Sequence, residues 1–343
     1  MKRLEFRSDT MTMPTQAMRD AMRDAPVGDD VCGEDPTVGR LEAMAAEILG
    51  KEAALFVPSG TFGNQCAIRT HTKLGDEVIA SELSHIVDHE VGAAAAISGV
   101  QMRAVRPASC DWLTVDDIAP RIRVSGDIHE PDTGLILLEN ALALGTVMPI
   151  AAMHGVYSLA RRHGVPVHLD GARIFNAALA LCIAARRIAA CADSVQFCLS
   201  KGLGAPAGSM LCGSADFIRR ARKIRKMMGG GMRQAGVLAA PGIIALTAGV
   251  ARLHEDHDNA RLLARLLSEI PGVSIDPARV QINMVFCRIE KEGKNEQGLV
   301  DFLKARNILT YDPSWWGIRF AISREVNVND VRALASAVAG YME

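Results

Sequence analysis

Between residues 134 and 202 the chain alternates apolar runs with amphipathic ones. The run "GLILLEN" (134–140) is continuously apolar and closes on two polar residues, which predicts a strand buried on both faces. Helical spacing follows over 151–163 and stops at Gly164. A second strand is predicted in "VPVHLDGAR" (165–173), a helix from there to about 190, and a third strand in "SVQFCLSKG" (194–202). Strand, helix, strand, helix, strand is the order of a parallel sheet with crossover helices. Upstream, residues 14–24 predict a helix capped by Thr12, with Pro14 in its first turn and Ala17, Met18, Ala21 and Met22 on one face.

Past about residue 250 the pattern changes. Leucines at 262, 263, 266 and 267 in "NARLLARLLSEI" (259–270) mark an amphipathic helix. "VQINMVFCRI" (280–289) alternates like a half-buried strand, and 327–342 reads as a last helix. The expected fold class is α/β: a large domain with a mostly parallel sheet over 1–250, and a small α+β domain over 251–343. The N-terminal segment 1–20 is expected to pack with the small domain. No repeat or low-complexity linker separates the two.

With 343 residues, 49% of them hydrophobic, the chain can bury a sizeable core. A net charge of −1, no basic stripe and 4% aromatic residues argue against a nucleic-acid partner. The N-terminus has no apolar run, and "GVLAAPGIIALTAGV" is short and interrupted by Pro241, so no membrane partner is expected. Eight cysteines without C-x-x-C spacing suit reduced, packed thiols and a cytoplasmic location.

Ligands of open parallel sheets gather at the carboxyl ends of the strands. Three predicted strands here end in polar groups: Glu139-Asn140, Asp170 with Arg173 beyond it, and Ser200-Lys201. Asp170 and Lys201 lie one strand–helix–strand unit apart. That pairing suits pyridoxal 5'-phosphate, whose aldehyde needs a lysine amine and whose ring nitrogen needs a carboxylate to stay protonated. "ALFVPSGTFGNQ" (54–65) is a strand, turn and helix start, so the amides of Gly60 and Thr61 and the hydroxyls of Ser59 and Thr61 can face a phosphate. His85 and His89 have the i, i+4 spacing of metal ligands, but no third ligand is evident and no metal is expected. Stacking on a cofactor ring suits His85 equally. Taken singly, these residues also fit structural roles: Lys201 as an exposed strand exit, Asp170 as a helix cap, Arg173 as a surface residue and His168 as a satisfied core histidine.

The motifs together are more specific. "RSDTMTMPTQAM" (7–18), "VGDDVCGEDPTVGRLE" (27–42), "PSGTFGNQ" (58–65), "HLDGARIFNA" (168–177), "CLSKGLGAPAGS" (198–209) and "RKMMGGGMRQAGVLAA" (225–240) follow one another in an order that resembles the L-threonine aldolases. These are fold-type I pyridoxal-phosphate enzymes of the β-eliminating lyase group. The resemblance implies that Lys201 binds the cofactor aldehyde, Asp170 pairs with the ring nitrogen, and His85 stacks on the ring and takes the substrate hydroxyl proton, directly or through water. It implies phosphate contacts from Ser59, Gly60 and Thr61, and carboxylate contacts from Ser8, Arg173 and Arg319. His129 would lie near the substrate hydroxyl. Lys226 and Arg233 would reach a phosphate across the interfaces of a homotetramer, a dimer of dimers, with room for a monovalent cation near Gly229–Gly231. The implied reaction is retro-aldol cleavage of an L-β-hydroxy-α-amino acid to glycine and an aldehyde.

Relatives usually carry tyrosine in place of Cys32, E-N-T-H-N in place of "ENALA" (139–143) and L-V-T-H-L-D in place of "FAISRE" (320–325). These departures bear on the choice of substrate and spare the Asp170/Lys201 pair. Two other readings stay open on the residues alone. One is β-elimination or transamination on the same scaffold; the other is a non-catalytic cofactor-binding or partner-binding protein.

Overall fold

The chain enters through a two-residue strand, β1 (Leu4–Glu5), in the computed structural model, which describes residues 3–343. Seven strands then build the main sheet: β2 (Ala53–Val57), β3 (Glu77–Ser81), β4 (Gln101–Val105), β5 (Thr133–Glu139), β6 (Val167–Asp170), β7 (Ser194–Cys198) and β8 (Ser209–Gly213). Their order is β2-β8-β7-β6-β5-β3-β4. The strands β3 to β7 pair parallel, while β8 runs antiparallel to both of its neighbours. Every residue of β6 and of β7 is buried, as expected of strands covered by helices on both faces.

The predicted strands at 134–140, 165–173 and 194–202 are thus β5, β6 and β7, adjacent in the sheet, and the helix at 151–163 is Ile150–Arg162. The segment running to residue 190 is two short helices, Ile174–Ala180 and Ala185–Ala189, because Cys182 takes a left-handed φ of 54° between them. The strand expected from residue 280 begins only at Met284. Before it, Gln281 accepts from the Val147 amide at 2.8 Å and Asn283 donates to the Ile322 carbonyl at 2.8 Å, so the side chains hold these turns in place of a ladder.

The first helix is Gln16–Arg23, capped by Thr15, whose hydroxyl accepts from the Met18 amide at 3.2 Å. The assignment of that cap to Thr12 is therefore wrong. Thr12 instead donates to the carbonyls of Asp9 and Lys201, both at 3.0 Å. Of the four residues placed on the helix's apolar face only Met18 is buried.

A second core lies around β9 (Val273–Ser274), β10 (Met284–Ile289), β11 (Ile308–Leu309) and β12 (Ile318–Ala321). The antiparallel trio runs β12-β10-β9, and β11 pairs parallel with β1. Phe6 is fully buried there, edge-on to Phe320 with ring centroids 6.2 Å apart. Its amide donates to Leu309 at 2.9 Å and its carbonyl accepts from Ala321 at 2.8 Å. Residues 4–12 therefore form a strap from this core to the backbone of Lys201. Among the described residues no single helix is long and apolar enough to cross a membrane.

Candidate active site

At the carboxyl ends of the central strands, parallel register sets Glu139 beside Asp170 and Asp170 beside Gln196. The helix Gly60–His71 lies against this row. A Cβ on Gly63 would come within 2.6 Å of Gln196 Cγ, and one on Gly60 within 2.7 Å of Cys198 Sγ, so glycine at both positions permits the approach. One cavity results, lined by Gly60, Thr61, Asn64, His85, Asp170, Ala172, Gln196, Cys198, Ser200 and Lys201. Five of the residues expected at the site thus share one space: Gly60, Thr61, His85, Asp170 and Lys201. Ser59 caps the helix behind them, its hydroxyl accepting from the Phe62 amide at 3.2 Å.

Buried hydrogen bonds support this wall. Asn64 Nδ2 donates to Asp170 Oδ2 at 2.8 Å and to Glu90 Oε1 at 2.9 Å. Asp170 Oδ1 accepts from the Ala172 amide at 3.0 Å. With both amide hydrogens of Asn64 spent, its Oδ1 accepts from His168 Nε2 at 3.2 Å. Burial drives the His168 pKa down to about 3, so the ring is neutral and its Nδ1 takes the Ser194 hydroxyl hydrogen at 2.8 Å. Ser194 in turn accepts from His71 Nε2 at 2.7 Å. Every donor in this chain points toward the Asp170 carboxylate.

His85 is linked to Asn64 through Glu90. Its Nδ1 lies 2.9 Å from Glu90 Oε1, and a carboxylate only accepts, so Nδ1 carries the hydrogen and Nε2 is left free. That bond raises the pKa of His85 against its desolvation. Glu90 is satisfied by three donors, the third being Gln65 at 2.7 Å. Glu139 fixes the backbone: its Oε2 accepts from the His85 amide and its Oε1 from the Ala143 amide, both at 2.8 Å. Burial and then the Asp170 charge push its pKa up to about 7.

A second cluster adjoins Lys201. Arg173 donates to the fully buried Asp9 twice, Nε to Oδ2 at 2.8 Å and Nη2 to Oδ1 at 2.7 Å. Burial opposes the Asp9 charge, but Arg173 overrides it and holds the carboxyl well below the usual range. Ser8 is buried and caps the turn Asp9–Met11. Arg319 donates to the Arg7 carbonyl at 3.2 Å, and burial followed by the charge of Arg173 lowers its pKa. The strap thus brings Ser8, Arg173 and Arg319 together.

Three expected residues stay outside. His129 is exposed in the loop before β5, its amide bonded to Asp127 at 2.9 Å, and even its apolar neighbour Ile128 stays in solvent there. It does not join the cavity. Lys226 is exposed on the helix Ala215–Met227, and Arg233 is exposed and paired with Asp29 at 2.8 Å. His89 is also exposed, its ring 5.5 Å from that of His85 and tilted by 61°. Sequence reasoning missed Asp9, Asn64 and Glu90. Asn64 had a signal, a polar residue on the inward face of the helix that opens at Gly60; the other two had none nearby.

The cavity's chemistry fits pyridoxal phosphate. It offers a lysine amine, a buried carboxylate supplied only with neutral N–H donors, and a helix start whose Gly60 and Thr61 amides are open to an anion. Gln196 Oε1, in the same wall, is buried without a hydrogen-bond partner among the described residues. Fold and site together define a fold-type I pyridoxal-phosphate enzyme. Residues 5–290 match the family described as "Beta-eliminating lyase". The chain is 45% identical over 306 residues to a low-specificity L-threonine aldolase of Escherichia coli strain K12, covering 89% of this chain and 90% of that one. It is 42% identical over 336 residues to low-specificity L-threonine aldolase 1 of Arabidopsis thaliana, covering 96% and 94%. A solved threonine aldolase of Leishmania major has the same fold, with a TM-score of 0.83 at 20% identity, covering 99% of this chain and 100% of that one. The protein belongs to the β-eliminating lyase family.

Proposed function

We propose that the protein cleaves L-threonine, L-allo-threonine and related L-β-hydroxy-α-amino acids reversibly to glycine and an aldehyde. The observation that carries this reading is the single cavity holding Lys201, Asp170 and His85, with two arginines gathered beside it. Lys201 would hold pyridoxal phosphate through its amine, Asp170 through the ring nitrogen, and Gly60, Thr61 and Ser59 through the phosphate. The cofactor, when bound, supplies an electron sink for the bond broken at Cα. Ser8, Arg173 and Arg319 bind the substrate carboxylate and so orient the Cα–Cβ bond. The free Nε2 of His85 receives the β-hydroxyl proton, directly or through one water.

Lys226 and Arg233, outside their own cavity, suit phosphate contacts in a neighbouring subunit of a homotetramer. We place the enzyme in the cytoplasm on its reduced cysteines.

The test is a panel of L-threonine, L-allo-threonine and L-serine with acetaldehyde, glycine, pyruvate and ammonia all assayed. Glycine with aldehyde is the expected pair; keto acid with ammonia would sink the proposal. A further result is expected of Glu90→Gln, which keeps an acceptor for His85 and removes the charge. Glu90 raises the pKa of His85, so the histidine holds its proton to higher pH than usual. Without that charge the neutral form appears at lower pH, and the acidic limb of kcat/KM moves down the pH scale. A pH–rate profile checks this.

A further inference from the structure

The Asp9–Arg173 pair has a geometry that a simple internal ion pair does not need. Asp9 occupies the side edge of the guanidinium, Nε and Nη2. The end edge, Nη1 with the second hydrogen of Nη2, is bonded to no described residue and remains competent for a two-pronged carboxylate bond. Asp9 is itself fixed from three further sides. Asn283 Nδ2 donates to its Oδ2 at 3.3 Å and to the Ile322 carbonyl at 2.8 Å, the Ser8 hydroxyl lies 3.5 Å from Oδ1, and Thr12 ties its carbonyl to that of Lys201.

Charge carries the inference further. Arg319, half-buried, feels Arg173 as a repelling neighbour. Two guanidinium charges and the single Asp9 carboxylate leave one net positive charge beside Lys201, which one carboxylate neutralises. We propose that Asp9 is a positioning and specificity-determining residue, which aims the free edge of Arg173 at the substrate carboxylate and matches that end of the site to a monoanion. The proposal rests on the reading of Ser8, Arg173 and Arg319 as the carboxylate site. Asp9 touches no reacting atom; it acts through Arg173. A doubly charged group in the same place would leave an uncompensated negative charge in a buried setting, which is strongly unfavourable.

The experiment titrates the holoenzyme with glycine, aminomethylphosphonate and methylamine, following the visible absorbance of the bound cofactor. Wild type should bind glycine at least about tenfold tighter than the phosphonate dianion. Asp9→Asn should weaken glycine by about tenfold and narrow or invert that ratio, while methylamine, which has no anion, stays within about twofold. Equal losses for glycine and the phosphonate in the variant would show Asp9 to be merely structural and overturn the proposal. Should the variant fail to fold, wild type alone decides: a phosphonate bound as tightly as glycine overturns it. Wild type that responds to methylamine and to neither anion more strongly would instead sink the carboxylate-site reading itself.

Discussion

Lys201→Ala abolishes turnover, lowering kcat by ~10⁴-fold or more, and leaves the fold standing. The two halves of this expectation have separate grounds. Lys201 shares its cavity with Asp170 and His85, so its amine is where a cofactor aldehyde must be held. Its Nζ, however, makes no hydrogen bond or ion pair with a described residue. What fixes Lys201 is its backbone: the carbonyl accepts from Thr12 and from the Gly204 amide, at 3.0 and 2.8 Å. Alanine keeps both bonds and orphans no hydrogen-bond partner of this half-buried side chain, so the stability change should stay at about 1 kcal/mol, within the ordinary range for single substitutions. The purified variant should melt close to wild type, lack the cofactor linkage that borohydride fixes, and release no aldehyde from L-threonine. Unchanged aldehyde release would show that another group holds the cofactor.

Asp170→Asn should lower kcat by ~10²–10³-fold with KM far less affected, because it removes a charge and preserves shape. The carboxamide oxygen introduced by the substitution can still accept from one neighbour, so the wall of the cavity persists. What disappears is the anion toward which Asn64, His168, Ser194 and His71 all direct their hydrogens. The variant carries its own internal check. Glu139 has its pKa raised to about 7 by burial and then by Asp170. A carboxyl whose folded pKa lies above its ordinary 4.5 favours the folded state most at low pH, and that benefit is lost as pH rises through about 7. Without the Asp170 charge the Glu139 pKa falls back, so the apoprotein of the variant loses less stability across that window. Denaturant titrations of both apoproteins between about pH 5 and 8 measure the difference, and identical slopes would place the coupling elsewhere.

Lys201 and Asp170 were legible in the sequence because apolar runs end on them, and the end of a buried strand leaves few directions for a polar side chain. The same logic found Glu139. It could not find Asp9, whose partner Arg173 lies 164 residues away, since periodicity reports which face is buried and not which distant charge meets it. Glu90 was hidden for a related reason. "DHEVG" reads as a solvated turn, and only the three donors converging on Glu90 make its burial tolerable. Thr12 was misplaced because Thr15, a little further on, caps equally well. Thr12 was then free to bind Lys201, a contact across 189 residues. His129 entered on motif position alone, and its exposed loop gives it no part in this chain's cavity.

The strap of residues 4–12 sets an order on how the enzyme is made. Asp170 and Lys201 lie in neighbouring stretches of chain, so their half of the pocket can close soon after both have left the ribosome. The other half waits for the opposite ends of the polypeptide: Arg319 must emerge before it can reach Arg7, 312 residues earlier, and Ala321 before it can clasp Phe6. Closing so large a loop is expected to make this a late contact of folding. On the proposed reading, a growing chain therefore acquires the lysine assigned to the cofactor well before Arg319 completes the arginine pair assigned to the substrate carboxylate.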